Sequence, residues 1–212
     1  MPPTMPTSNA VPGFVPSVHG LHFGNRWAPG PTIRLGVIDP RLVGVGDASA
    51  GLCGGMAWLV REWFEVGRPI PADRHAPANG STLFRAIVRR QILSLDWMRV
   101  PLRFWLAAVT NPAVLARRSL GEAWPEIRAS IDAGRLPLVG LVRHHGLNPM
   151  RLDRDHQVLA FGYAIDDDPV RTVTLRIYDP NWPDRDDVTL TLGPDGLRQS
   201  TGEPLLGVLA LP

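Results

Sequence analysis

Cys53 is the only cysteine in the 212-residue chain. It stands among glycines in Gly-Leu-Cys-Gly-Gly-Met, at the head of a segment with helical periodicity. A thiol attacks as its thiolate, so an effective site lowers the thiol pKa with a helix N-terminus and a neighbouring histidine. Met56, Ala57, Val60, Trp63 and Phe64 recur at helical spacing while Arg61, Glu62 and Glu65 fall outside that set, which predicts an amphipathic helix over 53–66 with Cys53 at its start. Gly67 and Pro69 end it. The first-turn N–H groups of such a helix stabilise negative charge on sulfur or on a tetrahedral intermediate. Gly51, Gly54 and Gly55 are expected to leave room for a substrate beside the backbone.

The partner histidine must come from elsewhere in the chain. Of six histidines, His156 is best placed: it opens the run His-Gln-Val-Leu-Ala-Phe-Gly-Tyr, setting a polar ring at the edge of an otherwise apolar strand. Asp179, after Thr-Val-Thr-Leu-Arg-Ile-Tyr and before Pro180, can orient that ring. If the two strands pair across the turn at Asp166, Asp167, Asp168 and Pro169, both polar ends share one edge of the sheet, as a Cys/His/Asp triad requires. Singly, each residue has a plainer role, as a small core thiol, a strand cap and a turn former. Their order along the chain favours chemistry.

Other polar and aromatic clusters carry weaker readings. His144 and His145 lie near Asp153, Asp155 and His156, but adjacent strand histidines face opposite ways and no pair has a zinc-ligand spacing. A solvated loop without metal is expected there, and no cofactor. Trp97, Phe104, Trp105 and Leu106 either line an apolar substrate groove, anchor a partner, or belong to the core.

The elements that must position these residues can be read in order. Residues 1–20 are rich in Pro, Ser, Thr and Gly, which predicts a flexible or extended leader before a single domain over 21–212. Thr32–Asp39 suits a strand or extended arm. A second helix is expected over Thr82–Leu95, with Leu83, Phe84, Ile87, Val88, Ile92 and Leu95 on its apolar face, and short helical pieces over 97–118. A third helix is predicted to begin at Ser119, whose spacing to Glu122 forms a capping box, and to stop at Gly134. Strands follow at 136–142, 156–165, 172–178, 188–192 and 205–211. Helices first and antiparallel strands afterwards make an α+β fold.

Composition bounds the function. The 22 basic and 20 acidic residues are interspersed and leave a net charge of only +2, which argues against a nucleic-acid partner. Every basic residue is Arg, so the pI of 9.3 reflects guanidinium chemistry rather than a charge excess near neutrality. This usage, with abundant Pro, Ala and Gly, points to a GC-rich bacterial genome. A lone cysteine excludes an internal disulfide. With no secretory signal pattern and no long apolar run, a cytoplasmic location without membrane attachment is expected.

The motifs together resemble the papain-like cysteine peptidase superfamily: Gly-Leu-Cys-Gly-Gly-Met opening a buried helix, then Ala-Gly-Arg-Leu-Pro-Leu-Val-Gly-Leu, Asp-His-Gln-Val-Leu-Ala-Phe-Gly-Tyr and Ile-Tyr-Asp-Pro-Asn-Trp-Pro. Within it they are most similar to the bacterial branch related to peptidases that process bacteriocin leaders. The resemblance covers roughly residues 45–185. It implies a papain-like fold, with the nucleophile on a central helix followed by an antiparallel sheet, and a thiol hydrolase acting on peptide or amide bonds of a peptide or protein substrate, with amidase or acyl-transfer chemistry by the same residues equally open. Cys53, His156 and Asp179 would be nucleophile, base and orienting group, and Trp182 would shield the histidine pair. The family usually places an oxyanion-hole glutamine shortly before the cysteine; here that stretch has Asp47 and Ser49 and no Gln or Asn. Asn25, in Phe-Gly-Asn-Arg-Trp, is the nearest upstream amide and the candidate replacement. The alternative is a catalytically inactive relative whose cleft binds a peptide or protein.

Overall fold

The computed structural model describes residues 7–27, 51–166 and 171–212, the side chains of residues 149 and 150 excepted. The expected arm at Thr32–Asp39, the residues 44–49 before the cysteine and the turn residues 167–169 lie outside the described residues.

The described chain opens with a strand β1 (Thr7–Ala10) and one helical turn α1 (Pro16–His19). Helices α2 (Cys53–Glu65), α3 (Thr82–Ser94), α4 (Arg99–Val109), α5 (Pro112–Arg118) and α6 (Trp124–Asp132) follow. The remainder is strands β2 (Leu138–Val142), β3 (His156–Asp166), β4 (Thr172–Tyr178), β5 (Thr189–Gly193), β6 (Gly196–Gln199) and β7 (Gly207–Ala210). The strands form one antiparallel sheet in the order β6-β5-β4-β3-β2-β7, with β1 paired to β3. The architecture is α+β.

Three local devices set the helix ends. Ser81 caps α3 by accepting from Phe84 N–H. Asn111 does the same for α5, ahead of Pro112, by accepting from Ala113 N–H. Gly134 takes a left-handed φ of 70° after α6, a conformation that favours glycine. Ser119, however, is not a helix N-cap. The chain passes from α5 through one π-helical turn (Ser119–Ala123) into α6, and the Ser119 hydroxyl donates to Leu115 O and accepts from Val208 N–H. A hydroxyl that reaches both the preceding turn and β7 has stronger partners than a cap would offer.

The expected leader is, over residues 7–20, part of the domain. β1 pairs residue by residue with β3, from Thr7 opposite Ile165 to Ala10 opposite Gly162. β2 covers only the first part of that edge, at His156 to Leu159, and β1 supplies the hydrogen-bonding partners beyond it. Val11 and Phe14 then enter the core at 3% and 4% exposure. β3 is buried on both faces from His156 to Tyr163, which explains its nearly continuous apolar run. Helix α2 lies against it with Met56, Leu59 and Val60 fully buried. None of the described helices is long and apolar enough to cross a membrane.

Candidate active site

Cys53 is the first residue of α2, His156 the first residue of β3, and Asp179 directly follows β4. Antiparallel pairing of β3 with β4, including Leu159 opposite Tyr178, brings the last two to one edge of the sheet. His156 Nε2–H donates to Asp179 Oδ1 at 2.6 Å, and both side chains are buried. With Nε2 so engaged, Nδ1 is the ring nitrogen left for the thiol. Burial pushes the Cys53 thiol up, but the positive charge of His156, a hydrogen bond from it and the Gln157 backbone N–H outweigh burial, and the pKa falls below 9.0. Burial likewise opposes the His156 imidazolium, yet the charges of Asp179 and Cys53 raise its pKa from 6.5 to about 10. The thiol is shifted down and the imidazole up, the directions that favour a thiolate–imidazolium pair.

Asp179 is 1% exposed. Its Oδ1 also accepts from Asn181 N–H at 2.8 Å, and its Oδ2 accepts from Gln199 Nε2 at 2.8 Å. Gln199 Oε1 in turn accepts from Arg143 Nη2 at 2.8 Å. Burial favours the neutral acid, but the His156 charge and these hydrogen bonds hold the carboxyl below its usual range.

The N-terminus of α2 is shaped by residues from two other segments. Asn25 Oδ1 accepts from Leu52 N–H at 2.6 Å and from Trp27 Nε1–H at 3.0 Å. Its Nδ2 faces Gly51: a Cβ there would come within 2.7 Å of it. Gly51 itself has φ 93°, open to glycine and strained for other residues. Gln91 Oε1, from α3, accepts from Gly55 N–H at 2.8 Å. Cys53 and Gly54 N–H remain as first-turn donors without a partner among the described residues. Sequence reasoning missed Gln91, Gln199 and Arg143. The available signal for Gln91 was a polar residue at a position one turn from Ile87 and Val88 on the buried face of α3.

Gly54 and Gly55 serve packing rather than substrate access. A Cβ on Gly54 would lie 2.5 Å from Ser94 Oγ and 2.6 Å from Gln157 Oε1, and one on Gly55 would lie 2.2 Å from Ile87 O. These glycines let α2 approach α3 and β3 closely enough to seat Cys53 beside His156. Gly51 is the glycine that lines the cleft.

Trp182 hydrogen-bonds through Nε1–H to Glu203 Oε1 at 2.9 Å, and Arg185 lies over its ring. None of its described contacts is with His156. The cleft beside Cys53 has about 80 Å³ of free space. One wall is apolar, with Leu95, Val100, Pro101 and Phe104, and the other carries Asp153, Asp155, His156 and Gln157. Phe104 is therefore a cleft residue, whereas Trp97 is 95% exposed in a left-handed turn between α3 and α4. The expected solvated loop is buried at His144 and Asp155, each side chain 3% exposed, with His144 Nδ1–H donating to Asp155 Oδ1 at 3.0 Å. Among the described residues no group of three or more acidic, histidine or cysteine side chains is arranged to hold a metal ion.

Comparisons with family models, with curated proteins and with solved structures returned no match, so the reading of the site rests on its geometry.

Proposed function

We propose that the chain is a papain-like thiol hydrolase that cleaves peptide or amide bonds through Cys53, His156 and Asp179. The observation that carries this reading is the relay itself: Cys53 at the start of α2, a buried imidazole and a buried carboxylate 2.6 Å from its Nε2, an arrangement that lowers the thiol pKa and raises that of the imidazole to about 10. A structural cysteine in an apolar core has the opposite shift, because burial alone raises its pKa.

The chemistry follows from the atoms present. Cys53 Sγ attacks the carbonyl carbon, the C=O pair moves to oxygen, and the oxyanion is met by Cys53 N–H and, on this reading, by Asn25 Nδ2. Collapse breaks the C–N bond as the His156 imidazolium passes its proton to the leaving amine. Water attacks the resulting thioester and gives one proton to His156; collapse breaks the C–S bond and restores the thiolate–imidazolium pair, and the acid leaves, losing its remaining proton to solvent as carboxylate. Asp179 holds the ring throughout and stays ionised.

A second reading, a catalytically silent domain that binds a peptide or protein, is favoured by the absence of a glutamine shortly before Cys53. Limited iodoacetamide at pH 6 with mass spectrometry separates the two. Rapid labelling of the single cysteine, abolished in His156→Ala, is expected of the hydrolase. Labelling no faster than that of free cysteine sinks it.

A further inference from the structure

Two acceptors on the polar wall of the cleft have no donor. Asp155 Oδ1 is used twice, by Arg143 N–H at 2.9 Å and by His144 Nδ1–H at 3.0 Å, whereas Oδ2 is buried and unpartnered. Gln157, 5% exposed, holds its Oε1 buried and unpartnered on the same wall. Asp155, immediately before β3, and Gln157, the second residue of β3, both line the cleft. An unmatched buried acceptor costs about 1–3 kcal/mol, and more when it is charged.

Among the described residues that line the cleft, acidic groups outnumber basic ones. Of these residues His156 alone can carry positive charge, and it is committed to Cys53 and Asp179. Arg143 turns its guanidinium to Gln199 and lies 3.8 Å from Asp179. His144 and the Arg143 backbone N–H both meet Asp155 at Oδ1 and leave Oδ2 without a donor. Cys53 is paired with His156, and Asp179 with His156 and Arg143, whereas Asp155 Oδ2 has no donor among the described residues and Asp153 lies beside it on the cleft wall. Burial accordingly raises the Asp155 pKa despite its donors.

We infer that the cleft beside Cys53 is a specificity site for a hydrogen-bond-donating cation, an ammonium or guanidinium group, whose N–H groups reach Asp155 Oδ2 and Gln157 Oε1. Val100, Pro101 and Phe104 on the facing wall take the aliphatic stem. Lys- or Arg-like side chains next to the scissile acyl group have this form. The inference rests on the hydrolase reading for its orientation toward a scissile bond, but its electrostatics can be tested without turnover.

The test uses the full chain and three methanethiosulfonate reagents that differ only in the attached group: aminoethyl, trimethylammonioethyl and sulfonatoethyl. Each rate at Cys53, the sole cysteine, is divided by its rate with free cysteine. Aminoethyl should exceed sulfonatoethyl by about tenfold on this scale, and trimethylammonioethyl, which has charge but no donors, should fall clearly below aminoethyl, as one charge-assisted hydrogen bond implies. Asp155→Asn should remove most of the preference, and Asp153→Asn a smaller part. Absence of a cationic preference in the unmodified protein overturns the inference whether or not Asp155→Asn folds. Equal rates for the two cations overturn the hydrogen-bonded site. Uniformly slow labelling at pH 6 with the preference intact would instead sink the hydrolase reading and leave the cation site standing.

Discussion

Gln199 Nε2 donates to Asp179 Oδ2 at 2.8 Å, and through this bond the hairpin strand β6 holds the carboxylate that orients His156. Arg143 completes the chain by donating to Gln199 Oε1. The orienting group of the triad is thus itself oriented by a side chain distant from the thiol. Gln199→Leu should slow Cys53 labelling at pH 6 roughly ten- to hundredfold, the equivalent of a hydrogen bond to a charged group at ~1.5–3 kcal/mol. It should also shift the acid limb of the labelling profile toward the ordinary thiol value of 9.0. A merely structural Gln199 would lower the melting temperature and leave that limb in place.

The pH profile of the pair has a defined sign. The Cys53 pKa is lowered from 9.0, so thiolate forms at a pH where a free cysteine is still protonated, and labelling should reach a plateau early. His156 loses its proton near 10, so a second change in rate is expected there as the ion pair becomes a free thiolate. These are macroscopic steps of the pair. In His156→Ala the plateau should vanish and one step should return near 9.0. The same shift acts on stability. Because the folded His156 pKa lies above 6.5, its contribution is complete below pH 6.5 and fades as pH rises toward about 10. The lowered Cys53 pKa acts with the opposite sign, so the two shifts offset one another between about pH 6.5 and 9.0, and melting temperatures should fall in the native chain more than in His156→Ala chiefly from pH 9 to 10.

Helix packing at the nucleophile can be tested with single methyl groups. Gly55→Ala would place its Cβ 2.2 Å from Ile87 O, a backbone atom, so α2 and α3 must separate. Overpacking of this kind typically costs 1–3 kcal/mol, and urea denaturation should show about that loss. Cys53 labelling should slow in parallel, because the helix start moves away from His156. Gly121→Ala is the control: nothing lies within 4 Å of its Cβ, and the change should stay within about 0.5 kcal/mol.

The order of Cys53, His156 and Asp179 could be read from the chain because each stands at an element boundary marked by composition: glycines before a helical period, and polar residues at the ends of apolar strands. Other parts were hidden for identifiable reasons. Thr7–Ala10 has no apolar alternation, and it is a strand only because the second half of β3 offers it an edge. Ser119 and Glu122 match a capping box, but the box is overridden by the bond from Ser119 to β7. The apolar face predicted for α3 included Ile92, which is 36% exposed, while Gln91 and Ser94 are buried. Those two polar residues face α2, where Gln91 satisfies Gly55 N–H. Such a partner exists only once the tertiary fold is formed.

Asn25 joins two roles that one substitution can separate. Its Oδ1 accepts from Leu52 N–H, which ties the segment before the cysteine in place, while Nδ2 faces Gly51, which lines the cleft. Asn25→Asp keeps the acceptor and removes the donor. If Asn25 were only a structural tie, acyl transfer would fall no further than thiol alkylation. If Nδ2 meets the oxyanion, the two readouts diverge, because displacement of iodide from iodoacetamide creates no oxyanion, whereas thioester formation does. At pH 9.5, where the thiolate is formed even if the added carboxylate raises its pKa somewhat, alkylation should remain within about threefold of the native rate. Thioester formation from an activated ester or amide should drop on the order of 10²–10³-fold, as for removal of one oxyanion donor. Equal losses in both reactions would assign Asn25 to structure alone and leave the first-turn N–H groups of Cys53 and Gly54 as the described donors.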